Sequence, residues 1–314
     1  MRSHVDLGMA LPQIFPGRPI DIPLIREFAV RAEALGCHSA WVQDHTFGAT
    51  PALEPIALLT YAAAITQRLR LGTAVLLTAV RSPVHVAKSL ATLDQLSGGR
   101  VIVGVGLGDG TRSYPAYGLP PERRVRRFAD GIRLMKRLWT EPRVSFAGDF
   151  ARLENAALEP KPVQRPHPPI WFGAHHPAAL RRTIELGDGF MGAGSSSTEQ
   201  FRKEVQVLQD LLAAMGREPS SFPVGKRVYI AVDRDRARAQ RRLGEWFVSY
   251  YGDLISHYDA AHMAERVAVW GDTQECVDRL AEIVSGGARL LLLNPVFDEL
   301  EQLEVLATQV VPKL

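Results

Sequence analysis

Along the whole chain, short apolar runs rich in β-branched residues alternate with longer stretches of helical period, and no other feature constrains the fold as tightly. The strand-like runs fall at 4–11, 39–43, 69–77, 101–105, 169–173, 189–192, 224–232 and 289–293. Amphipathic stretches such as 22–35 and 84–96 separate them. In the second, Val86, Leu90, Leu93 and Leu96 recur near the 3.6-residue period. Helix starts are marked by Asp21 ahead of Pro23, by Thr198 with Glu199, and by Asp272 with Thr273. Eight strands alternating with eight helices build either a closed parallel barrel or a long doubly wound sheet. The strands are short and spread over all 314 residues without a shift in composition, which favours closure. The expected fold is one (β/α)8 TIM barrel over residues 1–314, with an insertion at about 143–168. There, 143–153 alternates around Gly148 and Asp149 as a β-hairpin does. The segment LEPKPVQRPHPP, with five prolines, fits only a surface connection.

Composition serves mainly to exclude. A chain of this length that is 46% hydrophobic and 23% charged can bury a large core without metal or disulfide staples, and it is not a disordered protein. No window of 18 uncharged apolar residues occurs, so no membrane span is expected. The opening MRSHVDLGMALPQ has too short an apolar stretch before Pro12 for a signal peptide. Cys37 and Cys276 stand far apart in helix-like contexts and read as buried thiols of a cytoplasmic protein. The net charge is +3, with arginine clusters at Arg123, Arg124, Arg126, Arg127 and at Arg234, Arg236, Arg238, Arg241, Arg242. Both clusters are interleaved with acids and apolar residues at helical spacing. They are expected to be solvated helix faces, and no nucleic-acid partner is expected.

In such a barrel, chemistry belongs at the C-terminal strand ends and the loops that follow them. The second strand ends in Asp44-His45, and a histidine beside an acid at that place suits proton transfer near neutral pH; a hydrogen-bonded loop histidine is the plain alternative. The fourth strand runs into Gly104, Gly106, Gly108 and Gly110, without the spacing of a dinucleotide loop. Glycine at every second position suggests a floor left open for a flat ligand, with Asp109 at its end, or else a glycine-rich turn with a solvated aspartate. After the sixth strand, the run Gly192 to Glu199 (GAGSSSTE) opens a helix. It offers free N–H groups to an anion such as phosphate, or is a flexible connection with a Ser/Thr cap. His175-His176 lack a companion set of spaced carboxylates, so no metal is expected.

The segments AWVQDH, LRLGTAVL, ATLDQLSGGRVIVGVGLG, RRFADGIRLMKRLW, FAGDF, PPIWFGA and ELGDGF, in this order over about residues 4–195, resemble the bacterial luciferase-like oxidoreductases. These are TIM barrels that use a flavin or the deazaflavin coenzyme F420. The resemblance implies a cofactor lying across the top of the barrel. His45 corresponds to the acid/base histidine of the deazaflavin-dependent dehydrogenases, and Asp109 falls where their sugar-phosphate branch has a glutamate acid. Ala74 and Val75 fall at a bulge with a non-prolyl cis peptide beneath the ring. Asp44, Gly106, Gly108, Arg112, Gly173 and Ala174 are the further expected cofactor contacts, and Ala193, Gly194, Ser195 and Ser196 the expected phosphate loop. Three departures stand out: TFGA follows Asp44-His45 where that branch has tryptophan, Ser196 replaces a lysine, and Arg112 replaces an asparagine. The first two argue against a sugar phosphate as substrate.

The resulting expectation is an oxidoreductase moving a hydride between F420 and a small organic substrate. The compact length and the GVGLG loop favour the deazaflavin. The alternative is a monooxygenase taking reduced FMN from a separate reductase, and a non-catalytic luciferase-like subunit is a third reading. A homodimer is expected, with IALLTYAAA at 56–64 either at its interface or in the core.

Overall fold

The structure, a computed structural model, describes residues 5–108, 114–251 and 257–314. Twelve strands fall within these residues. They are β1 (Asp6–Ala10), β2 (Ser39–Val42), β3 (Arg70–Thr73), β4 (Leu76–Leu77), β5 (Val101–Gly106), β6 (Val144–Ala147), β7 (Arg152–Ala156), β8 (Ile170–Phe172), β9 (Gly189–Gly192), β10 (Val224–Val232), β11 (Val269–Gly271) and β12 (Leu290–Pro295). Strands β1, β2, β3, β5, β8, β9, β10 and β12 pair in parallel in that order. Pairing of β12 with β1, in register Gly8 to Leu292, closes the circle into a (β/α)8 TIM barrel. Around it run α1 (Ile22–Ala34), α2 (Pro55–Ile65), α3 (Pro83–Ser97), α4 (Arg124–Thr140), α5 (Pro177–Leu186), α6 (Thr198–Ala214), α7 (Arg236–Tyr251), α8 (His257–Val267), α9 (Thr273–Ser285) and α10 (Glu299–Val305). The caps sit where the sequence signals stood: Asp21 accepts from Leu24 N–H, and Asp272 forms a reciprocal capping box with Glu275. At α6 the cap is Ser197, one residue earlier than Thr198.

Three elements depart from the sequence expectation. The run 69–77 is two strands, β3 and β4, parted at Ala74–Val75, where the cis peptide bond and bulge implied by the family resemblance are present. Strand β11 was not anticipated; three residues long, it pairs in parallel with the C-terminal end of β10, Ile230 to Val232. The first arginine cluster is only partly a solvated face. Arg127 is 7% exposed, with its guanidinium 4.5 Å from the Phe150 ring centroid, while Arg123 and Arg126 pair with Asp149. These arginines fasten the antiparallel β6–β7 hairpin, expected at 143–153, onto the start of α4. The second cluster lies on exposed ion pairs, such as Arg236 to Glu275.

Large residues fill the barrel interior. Trp41 and Trp171 lie 5.9 Å apart, and small neighbours make room for them: a Cβ at Gly72 would fall 2.3 Å from the Trp41 ring. The segment LDQLSGGR, the most specific part of the family likeness, holds the framework together. Asp94, fully buried, accepts from the backbone and side-chain N–H of Gln164 and so ties down the proline-rich connection ahead of β8. The Arg100 guanidinium donates to the carbonyls of Ala63, Thr66 and Leu69, satisfying the C-terminal end of α2. Cys37 and Cys276 are buried and not in a disulfide, and burial pushes both thiols up to about 12. Among the described residues, no helix is long and apolar enough to cross a membrane.

Candidate active site

At the C-terminal mouth, one carboxylate joins the end of β2 to the bulge after β3. Asp44, its side chain 2% exposed, takes Arg81 Nε and Nη2 at 3.0 and 2.9 Å and the Leu77 N–H at 3.1 Å. Its own N–H donates to Val75 O. Burial acts to lower the pKa of Arg81, but the hydrogen bonds and charge of Asp44, together with Glu54, hold it above its ordinary value. Asp44 therefore fixes the path of the chain into His45. The partly exposed imidazole lies 5.3 Å from the ring of Tyr250, and Gly48 packs so close that a Cβ there would sit 2.7 Å from Nε2.

The bulge also explains the glycines of β5. A Cβ at Gly104 would fall 1.7 Å from Thr73 O, and one at Gly106 would fall 2.5 Å from Val75 Cγ2. The expected bare floor is thus occupied by the neighbouring strand. Val75 rests on Gly106 and on Gly173, and its partly exposed side chain is the surface presented to the mouth. Gly108 turns with positive φ beside Leu77, and Ala174 is buried just beyond Gly173. Asp109 and Arg112, expected as a second acid and a cofactor contact, lie outside the described residues.

Opposite the bulge, β10 sends Arg227 into the mouth. Gln13 binds the backbone of Gln43 on both sides, leaving the Gln43 side-chain oxygen to accept from Arg227 Nη1 at 2.6 Å. The same Nη1 reaches Ala74 O at 3.4 Å, and Nε is buried without a partner among the described residues. Tyr229 carries the guanidinium on its ring, 4.9 Å to the centroid, and its hydroxyl meets that of Tyr251 at 2.8 Å. Burial raises the Tyr251 phenol well above its ordinary value. Together with Trp246 and Tyr250 these rings form an aromatic wall built from α7. A cleft lies between Trp41, Gln43, Ala74, Arg227, Trp246 and Asn294.

The loop after β9 forms the other side of the mouth. Ser196 N–H closes a turn on Ala193 O, Gly194 lies against the Tyr229 ring, and Ser195 is exposed. The N–H groups of Gly194 and Ser195 donate to nothing among the described residues. Ser197 caps α6 behind them. Lys226, 2% exposed, lies under the turn and donates to Ala193 O and, at 2.8 Å, to Ser196 O. The two adjacent histidines serve different elements: His176 caps α5, while His175 Nδ1 lies 2.7 Å from Glu204 Oε1.

Of the residues expected at the site, Asp44, His45, Ala74, Val75, Gly106, Gly108 and Gly173 meet around the bulge, and Ala193, Gly194, Ser195 and Ser196 form the facing loop. Lys226, Arg227, Gln43 and Glu204 were not anticipated. Two consecutive cations inside the apolar run VGKRVYIAV were the available signal, since a lysine or arginine at the centre of a barrel strand is rarely idle.

The comparisons agree with this architecture. The F420-dependent glucose-6-phosphate dehydrogenase of Kineococcus radiotolerans is 31% identical over 242 residues, 74% of this chain and 69% of that protein. The FMNH2-dependent dimethylsulfone monooxygenase of Pseudomonas putida is 31% identical over 248 residues, 77% of this chain and 67% of that protein. Among solved structures, the monooxygenase RslO1 from Streptomyces bottropensis superposes with a TM-score of 0.86 at 26% identity, covering 98% of this chain and 99% of its own. Residues 8–290 match the family model described as luciferase-like monooxygenase, and the chain belongs to that family.

Proposed function

We propose that this chain is an oxidoreductase that moves a hydride between coenzyme F420 and a small organic substrate at the mouth of the barrel, with His45 giving or taking the accompanying proton. The observation that carries the reading is the placement of His45: it stands just past the C-terminal end of β2, directly after a buried Asp44 that Arg81, the Leu77 N–H and Val75 O hold in place. The residues present fit a flat, phosphate-bearing cofactor. Val75, seated on glycines, is an apolar platform; Gly194 and Ser195 hold unclaimed N–H groups; and Arg227 holds a buried, unclaimed Nε–H. When bound, the deazaflavin supplies the hydride acceptor or donor. The chain's own work is to support the ring on Ala74 and Val75, with Gly106 and Gly173 making room beneath Val75 and Gly108 and Ala174 beside it, and to hold the phosphate on Ala193 to Ser196. Asp109 is the candidate second acid and Arg112 a further cofactor contact. The aromatic wall from α7 excludes water, which strengthens the polar interactions within. TFGA after His45, and Ser196 in the loop, favour a small alcohol or carbonyl compound over a sugar phosphate.

The test is replacement of His45 by Ala. Turnover should fall by about 10²-fold or more with cofactor affinity retained; unchanged turnover removes His45 from the mechanism. The second reading, an FMNH2-dependent monooxygenase served by a separate reductase, is favoured by the equal identity to the dimethylsulfone enzyme. We further place the protein in the cytoplasm, as one domain that pairs into a homodimer; of the stretch 56–64, Leu58, Leu59, Ala62 and Ala63 face the chain's own core.

A further inference from the structure

Beneath the turn after β9 lies a buried group of charges that the hydride chemistry does not use. Lys226 enters between β10 and α6 with its stem against Gly192 and its ammonium 5.8 Å from the Phe201 ring centroid. Two of its hydrogens are spent on Ala193 O and Ser196 O, the two carbonyls that bracket the turn. Glu204, 4% exposed and two helical turns into α6, accepts from Gln200 at 3.0 Å through Oε1, and His175 Nδ1 meets the same atom. Its Oε2 is buried without a partner among the described residues. Ser196 Oγ lies 3.2 Å from His175 Nδ1, so the histidine touches both the loop and the buried acid.

A lysine this deep in apolar surroundings is costly, and burial pulls it down to about 7. Glu204 offsets part of that cost, while Arg227 on the adjoining position opposes it. Such a residue is retained where its charge or its donors have a task. With Lys226 holding the Ala193 and Ser196 carbonyls, those two oxygens are kept from an incoming anion, and the Gly194 and Ser195 N–H groups between them are left unclaimed. A positive charge behind a set of N–H groups at a helix N-terminus favours an anion over a neutral ligand.

We propose that Lys226 is the positioning residue of this loop and, with the His175–Glu204 pair, makes it a built site for the phosphate ester of a flavin-like cofactor. The proposal rests on the reading that such a cofactor occupies the mouth. Removing Lys226 frees two carbonyls to repel the phosphate and takes away the charge behind it, while leaving the ring platform at Val75 untouched.

The experiment compares FMN with riboflavin, which differ by the phosphate alone, and F420 with its free ribityl alcohol, which lacks the phosphate and the acidic tail beyond it. Wild type, Lys226→Met and Glu204→Gln are titrated with FMN against riboflavin, and with F420 against its chromophore cut back to the free ribityl alcohol, following ligand fluorescence. Lys226→Met should weaken FMN and F420 by about tenfold or more, the scale of a lost charge-assisted hydrogen bond, and leave the phosphate-free ligands within about twofold. Glu204→Gln should shift the same ratio in the same direction by a smaller factor, and it carries the test if the lysine variant does not fold. Equal losses for both members of a pair would reduce Lys226 to a packing role, and no loss in either variant would overturn the proposal. So would a wild type that binds both members equally. If no flavin or deazaflavin binds at all, the proposed function fails. The loop is then judged by inorganic phosphate, which should raise the melting temperature of wild type and not of Lys226→Met.

Discussion

Replacing Asp44 by Ala removes four hydrogen bonds at one point: two from Arg81, one from the Leu77 N–H and a long one from Thr46 Oγ1 at 3.5 Å. The carboxylate is 2% exposed, so its loss leaves a guanidinium facing a buried gap. Breaking a buried pair costs about 3–5 kcal/mol. Arg81 is a quarter exposed and keeps Glu54 at 3.3 Å, which places this case at the low end, about 3 kcal/mol. For a chain of this size the melting temperature should drop by roughly 6 °C. Asp44→Asn keeps one oxygen acceptor and should cost about half as much. Both variants release the start of the His45 loop and the 76–77 side of the bulge, so turnover should fall about tenfold or more through misplacement. Thermal melts, denaturant titration and steady-state rates read all three effects. A melting temperature within 1 °C of wild type (a margin set by the expected fall), with unchanged turnover, would refute the clamp.

The remaining predictions follow from neighbouring contacts. Gly104→Ala places a methyl 1.7 Å from Thr73 O, a backbone atom that cannot swing away, and should destabilise by about 2 kcal/mol or more while displacing the bulge; a neutral melt would show that the strands separate freely. Arg227→Met removes the guanidinium from Gln43 and Ala74 and should raise KM more than it lowers kcat, because the unclaimed Nε–H then offers nothing to a ligand oxygen; the opposite split would assign Arg227 to the chemical step. Lys226 supplies a pH signature. Its native pKa, lowered to about 7, lies below the unfolded value of 10.5, so between these pH values the unfolded chain holds a proton that the native one has lost. Stability should therefore rise with pH across that window by up to about 1.4 kcal/mol per unit relative to Lys226→Met, and parallel profiles of the two proteins would contradict it.

The barrel was legible because its evidence is periodic. Eight strand runs, the Asp21 and Asp272 caps and the hairpin around Gly148 each follow from local spacing or turn chemistry. The geometry of the candidate site was legible where residues sit at strand ends, as with Asp44 and His45, and where a loop opens a helix, as with Gly194 and Ser195. What escaped depends on pairing across the barrel. The β5 glycines signalled close approach, but not that Thr73 and Val75 of the next strand would fill the space. Arg227 meets Gln43 across 184 positions of sequence, and Lys226 acts on a turn 30 positions earlier; neither distance is encoded in local period. Strand β11 has three residues, too few to show an alternation.

The most direct test of the central claim is a paired titration of the purified protein with F420 and with FMN under identical conditions, followed by ligand fluorescence. The account predicts that F420 binds more tightly and that the loaded protein then exchanges hydride with a small alcohol or carbonyl compound. Tighter binding of FMN, with oxygen consumption when the reduced flavin is supplied, would contradict it.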